Sequence, residues 1–339
     1  MTTTATPQAP SPTQAHSPAE AGPRRRGPRG MVWAVLRLHR VALRFWILLF
    51  ALAAAALLWA YGPGGDAAWR QYSGMACGTR WDLGCDYVGG PEYARYELAV
   101  SLSAALLGVL PPIVAGWTGG VLIGRELESG TARLAWVQSV SPTRWLVTRL
   151  AVPAALLIPG TLLLTLLHRA VWESDAPLLS DLGWYAWHDP VTFQANGPLA
   201  TVYPLLGLAV GALAGLVAGR AVPAIGGAVL AQLGLTLALG TLRPYLWPSV
   251  TITTPVDEYP SYNGMRVDEG ALGADGSRVH GSCVEEPGCI ARHDIVGQYA
   301  DHHPSSHFWP LQLMETGIVL ALTAATAAAA FWLIRRRTS

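Results

Sequence analysis

Six apolar runs, each long enough as a helix to cross a bilayer of about 30 Å, constrain this chain more than any other feature. They fall at about 45–61, 98–118, 150–167, 199–218, 222–242 and 311–334. The first, FWILLFALAAAALLWAY, is uninterrupted. The second and third contain Pro111, Pro112, Pro153 and Pro159, which a membrane helix tolerates when neighbours meet the freed carbonyls. Only Gly219, Arg220 and Ala221 separate the fourth from the fifth, so these two form a tight helical hairpin. The expected fold is an all-α polytopic membrane protein with six transmembrane helices. Charged residues are 13% of the 339, about half the share usual in soluble domains, so length here counts spans rather than globular domains.

The charges orient the spans. All 23 basic residues are Arg, and Lys is absent. That excludes a G-x-x-x-x-G-K-[ST] phosphate loop and any Schiff-base or general-base lysine, so the chain has no Walker-type ATP site of its own. With the N-terminus inside, segments 1–44, 119–149, 219–221 and 335–339 hold fifteen Arg and three acids, Glu20, Glu126 and Glu128. The outer loops 62–97, 168–198 and 243–310 hold eight Arg and eighteen acids. Basic residues alone favour this orientation, and Arg clusters near both ends require an even number of spans. The expectation is a multi-pass plasma-membrane protein with cytoplasmic N- and C-termini.

Residues 1–30 are rich in Thr, Pro, Ala and Ser and read as a disordered cytoplasmic tail ahead of a membrane domain over 31–339. The leading region is too long for a cleaved signal peptide and further spans follow, so the first run is a retained anchor. Arg37, Arg40 and Arg44 share one helical side of 31–44. They suggest an in-plane elbow on the anionic inner leaflet, each Arg contributing about 1 kcal/mol.

Several constellations carry chemistry. Cys77 and Cys85 lie in the first outer loop, and Cys283 and Cys289 in the last. All face the oxidising side, so two local disulfides are expected, although four cysteines allow three pairings. Glu315 is the one ionisable residue within a span, about one turn below the outer surface, and either reaches water or serves as an outer gate contact. Gly207, Gly211, Gly215 and Gly219 recur every four residues and form a helix-packing stripe, used within one protomer or at a dimer seam. His280, His293, His302, His303 and His307 crowd the last outer loop beside Asp294 and Asp301. Imidazoles of His302, His303 and His307 are capable zinc or copper ligands. Without an H-E-x-x-H spacing, a solvated loop is the simpler reading, and no metal site is assigned. Ser180, Asp181 and His188 lack a G-x-S-x-G elbow. Trp172, Trp184 and Trp187 suggest an interfacial belt or a re-entrant hairpin.

The stretch GRELESGTARLAWVQSVSPTRWLVTR, residues 124–149, separates spans two and three. Thr131 to Val140 reads as a short helix, with Gly130 breaking it from the acidic turn before it. Ser141-Pro142 reads as an N-cap and first helical position opening the third span. The order R-E-x-E-S-G-T-A-x-L, then V-S-x-x-R-W-x-x-x-R, resembles the signature of the ATP-binding-cassette type-2 permeases. That resemblance implies six spans and a short cytoplasmic coupling helix between spans two and three. It implies a dimer of like or unlike protomers, with ATP and Mg bound by a separate ATPase subunit and no cofactor in this chain. In its terms Glu126, Glu128, Gly130 and Thr131 match the acidic and glycine-threonine pattern, and Arg144 the basic residue after the serine-proline turn. With Arg133 they are the expected ATPase-coupling residues. The function implied is export of an unidentified substrate, without enzymatic chemistry in this chain and without a nucleic-acid partner. The rivals are a metal-binding membrane enzyme or sensor using the His-rich loop, and a structural or immunity-type membrane protein.

Overall fold

A computed structural model describes residues 2, 37, 40–74, 90–138, 140–175, 186–281, 283 and 288–338. Cys77, Cys85, Ser180, Asp181, Trp184, the N-terminal tail and most of the proposed in-plane elbow lie outside these residues. Six helical stretches are long and apolar enough to cross a membrane. Helix α1 (Arg40–Trp59) passes through a π turn (Ala60–Gly64) into α2 (Gly65–Gly74). The bend has a local cause: Pro63 withholds an N–H, and Gly62 leaves the helical region at φ −110°, ψ −110°. Arg40 and Arg44 therefore sit in the opening turns of the first spanning helix itself.

Helix α3 (Pro91–Trp117) widens into a π segment (Thr118–Gly124) and ends as α4 (Arg125–Glu128). After α5 (Thr131–Val137) comes α6 (Pro142–Ser174), whose start is capped by the Ser141 hydroxyl accepting from the Arg144 N–H at 3.3 Å. The short α7 (Pro190–Ala195) precedes α8 (Leu199–Ala218) and α9 (Ala221–Leu242). Helix α10 (Cys289–Arg292) lies in the last long connection, and α11 (Phe308–Thr338) closes the bundle.

The all-α expectation needs correcting. The connection between α9 and α11 holds a four-stranded antiparallel sheet of β1 (Val250–Pro255), β2 (Gly264–Gly273), β3 (Arg278–His280) and β4 (Ile295–Pro304), ordered β1-β4-β2-β3. Strand β4 lies between β1 and β2, with Ala300 opposite both Ile252 and Glu269. The β-branched residues of VTITTP suit a pleated strand, but its partner lies some fifty residues onward, so periodicity within the loop hid the sheet. Cys283 and Cys289 form the expected disulfide, Cα atoms 5.3 Å apart, in a small cluster with Ala271 and Ile295.

Helix α8 is the hub. Of its apolar window 78% is buried, against 17–44% for the other five spanning helices, whose outward faces are left for lipid. Close approach explains this. A Cβ added to Gly207, Gly211 or Gly215 would come within 3.0 Å of the carbonyl oxygen of Pro111, Ala115 or Gly119 respectively. The stripe thus brings α8 onto α3 within one protomer, where packing replaces the missing hydrophobic drive. Gly219, grouped with these three by spacing, departs from them: nothing lies within 4 Å of an added Cβ, and its φ of +62° ends α8 and turns the chain into α9.

Substituting Gly211→Leu should lower stability by about 1–3 kcal/mol or more, because overpacking forces two backbones apart. Thermal unfolding in detergent checks this, with Gly226→Leu, which faces open space, expected to melt near the unaltered protein.

Candidate functional site

The connector between the second and third spans is built around two acids that each bind a neighbouring helix, Glu126 half-buried and Glu128 exposed. Glu126 accepts from the Trp145 indole N–H at 3.0 Å and pairs with Arg149, joining α4 to α6. Glu128 accepts from the Ala221 backbone N–H at 2.9 Å. A carboxylate there meets an orphan donor and the positive end of the α9 dipole. Glycine at 130 is required by its φ of +74°. It lets the chain reverse between α4 and α5, while the Thr131 hydroxyl donates back to the Glu126 carbonyl at 3.2 Å. Trp136 of α5 meets Trp145 of α6 edge to face, ring centroids 5.8 Å apart.

Beside Glu128, the outer side carries unpaired cationic groups and apolar side chains. Arg125, Arg133 and Arg144 are exposed and have no partner among the described residues. Leu134 and Val137 on α5 are 60% and 86% exposed, so this helix leaves apolar surface uncovered. The connector thus holds two spans by its acids and presents arginines. The family resemblance grouped all six residues together; only the coordinates separate Glu126 and Glu128, bound to α6 and α9, from the unbound guanidinium groups of Arg133 and Arg144.

The sequence reading passed over a second glycine set. Gly116, Gly120 and Gly124 recur every four residues, a signal that was available. In the structure Gly120 meets Ile225, and an added Cβ on Gly124 would fall 2.9 Å from the Arg220 carbonyl oxygen. The π segment, a feature frequent at functional positions, thereby seats α9 against the second span.

At the opposite, sheet-bearing end, Glu315 does not reach water. It is 0% exposed and held by Arg243 through Nε at 2.6 Å and Nη2 at 3.0 Å, with the Tyr203 hydroxyl donating at 2.6 Å. Arg243 also lies over the Phe193 ring, 4.3 Å from its centroid. This lock joins α8, α11, the turn after α9, and α7. Helix α7 is folded into the bundle, as a re-entrant hairpin would be. The Gln194 amide donates at 3.3 Å to the Leu107 carbonyl, the group that Pro111 leaves without its helical donor. Gln312 donates to the Phe193 carbonyl and Arg169 to that of Asn196.

The histidines separate into distinct roles. His303 is wholly buried and its Nε2–H donates to the Pro244 carbonyl at 2.8 Å. That tautomer leaves Nδ1 to accept from His307 at 3.0 Å. His302 stacks on Tyr262 instead, 4.8 Å between centroids. Among the described residues no three His, Cys, Asp or Glu side chains group to hold a metal ion. On the sheet, burial would raise the Asp268 carboxyl, but hydrogen bonds from Tyr299 and His280 hold it below the usual carboxylate range. Burial and that carboxylate push Tyr299 up to about 12.

Breaking a buried pair by removing one partner costs about 3–5 kcal/mol. Glu315→Gln should therefore unfold at clearly lower temperature in detergent. The double change Glu315→Leu with Arg243→Met should recover much of the loss.

Residues 47–243 match a family described as ABC-2 membrane transporter related. No curated protein and no solved structure matches the chain significantly.

Proposed function

The chain belongs to the ABC-2 membrane transporter related family, and from that premise we propose that it is the membrane-spanning subunit of an ATP-driven exporter. A separate ATPase subunit binds ATP and Mg, and a second protomer completes the pathway. The observation that carries this reading is the connector. Its exposed Arg125, Arg133, Arg144, Leu134 and Val137 offer a docking face, while Glu126 and Glu128 fasten the same element to α6 and α9. Force applied to α5 by a nucleotide-driven partner would pass through Glu126 to the third span and through Glu128 to the fifth. Both are positioning residues, and the arginines are the contact residues. The arginine-rich end, with Arg335, Arg336 and Arg337 at the close of α11, faces the cytoplasm by the positive-inside rule. The sheet and its disulfide then stand outside, in an oxidising compartment. The bundle crosses the plasma membrane.

The exposed arginines give the docking test its sign. Arg133→Glu with Arg144→Glu should reduce co-purification of the ATPase subunit at least tenfold while leaving the melting temperature of the permease unchanged. Glu128→Gln should do the reverse, lowering stability with little effect on retention of partner by the folded fraction. Retention of the ATPase by the double arginine variant would sink the docking assignment.

Orientation has its own check. A cysteine at Arg133 should react with a membrane-impermeant maleimide only after cells are opened, and one at Tyr259, 63% exposed before β2, in intact cells.

A further inference from the structure

An open groove of about 420 Å³ runs between α8 and α9 and is closed on one side by α11. Its wall is apolar and mostly small: Ala214 and Ala218 of α8, Gly227 and Ala231 of α9, with Val210 and Leu235 at its deeper end. The volume is in the range of small-molecule pockets. It lies on spanning helices, so what adjoins it is either an acyl chain or another helix. Val217, Ala218 and Pro223 line the end next to the α8–α9 turn. There Arg220 is exposed, and its guanidinium makes no hydrogen bond or ion pair among the described residues. Arg337 donates to the Leu216 carbonyl of α8, one residue before the groove-lining Val217. The apolar slot therefore ends beside the turn that carries Arg220 and next to the α8 carbonyl that Arg337 holds.

We propose that this groove seats an acyl chain of an anionic phospholipid, whose phosphate is held by Arg220 and Arg337. Charge favours this occupant over a second copy of the chain. A two-fold partner of the same orientation would bring its own Arg220 and Arg337 against these, like charge to like. A lipid phosphate offers the complement, and arginine matches phosphate geometry through paired N–H donors. Basic pockets between spans are known to favour anionic headgroups, each Arg near the surface being worth a factor of about five. The seat belongs to the spans alone and stands whether or not an ATPase docks on α5.

The test uses the full-length protein, stripped of lipid in detergent and titrated with phosphatidylglycerol or phosphatidylcholine, with retained lipid counted by native mass spectrometry. Phosphatidylglycerol should bind at least tenfold more tightly than phosphatidylcholine. Arg220→Gln should weaken phosphatidylglycerol about fivefold and leave phosphatidylcholine unchanged. Gly227→Leu places its side chain in open space, so it fills the groove without a clash and should remove the tight site for both lipids. Unchanged melting temperature and monodispersity show that both variants remain folded. Equal affinity for the two lipids would overturn the proposal, as would tight phosphatidylglycerol binding that survives Gly227→Leu. A disulfide linking two copies through Ala231→Cys would identify a second protomer as the occupant and overturn it equally.

Discussion

A helix bundle in hydrocarbon has no water to satisfy a backbone group that its own helix leaves unpaired, and that constraint organises this molecule. At several places where the chain departs from continuous helix, a side chain from another element supplies a bond. Pro111 frees the Leu107 carbonyl, and Gln194 donates to it. Helix α7 exposes carbonyls at Phe193 and Asn196, and Gln312 and Arg169 donate to those. Glu315 brings a charge inside, and Arg243 with Tyr203 surrounds it. Each of these partners is polar and remote in sequence, and all but the half-buried Arg169 are buried.

The two ends of the bundle are tied by different chemistry for different work. At the sheet end, the Arg243–Glu315 pair lies beside the Pro244 carbonyl bound by His303 of β4. The sheet is thereby seated on the turn that follows α9. A buried pair of this kind is weak evidence for stability by itself, since desolvation offsets much of its attraction. Its value is in register: four elements must be correctly placed before the pair closes. At the arginine-rich end, Glu126 and Glu128 act at the surface, one on α6 and the other on the first N–H of α9. That arrangement leaves α5 supported at its base and open on its outer side. It is the geometry wanted of an element pushed from outside.

Close backbone contact links the two ends. Gly207, Gly211 and Gly215 of α8 meet carbonyls of α3 and its π segment, and Gly120 and Gly124 of that segment meet α9. The second and fourth spans thus meet along their backbones, and the second meets the fifth on backbone at Gly124 and on the Ile225 side chain at Gly120.

Apolar length located the six candidate spans and the tight α8–α9 hairpin in advance, because spanning a bilayer is a one-dimensional requirement read from consecutive residues. The Ser141 cap and the break at Gly130 were legible because they are local, although the helix between them ends at Val137 rather than Val140. The pairing of Cys283 with Cys289 followed from short spacing. The sheet was not legible, because β1 and β4 find each other across some fifty residues and neither shows a long alternating run. Glu315 read alone suggested a gate or a wet interface. Only tertiary structure placed Arg243 and Tyr203, from other spans, against it. The acids of the connector likewise matched a pattern in the sequence, yet whether they face a partner or their own helices depended on where Trp145, Arg149 and Ala221 came to rest. Spacing along one helix says which residues share a side; what that side meets is decided by the packing of the others.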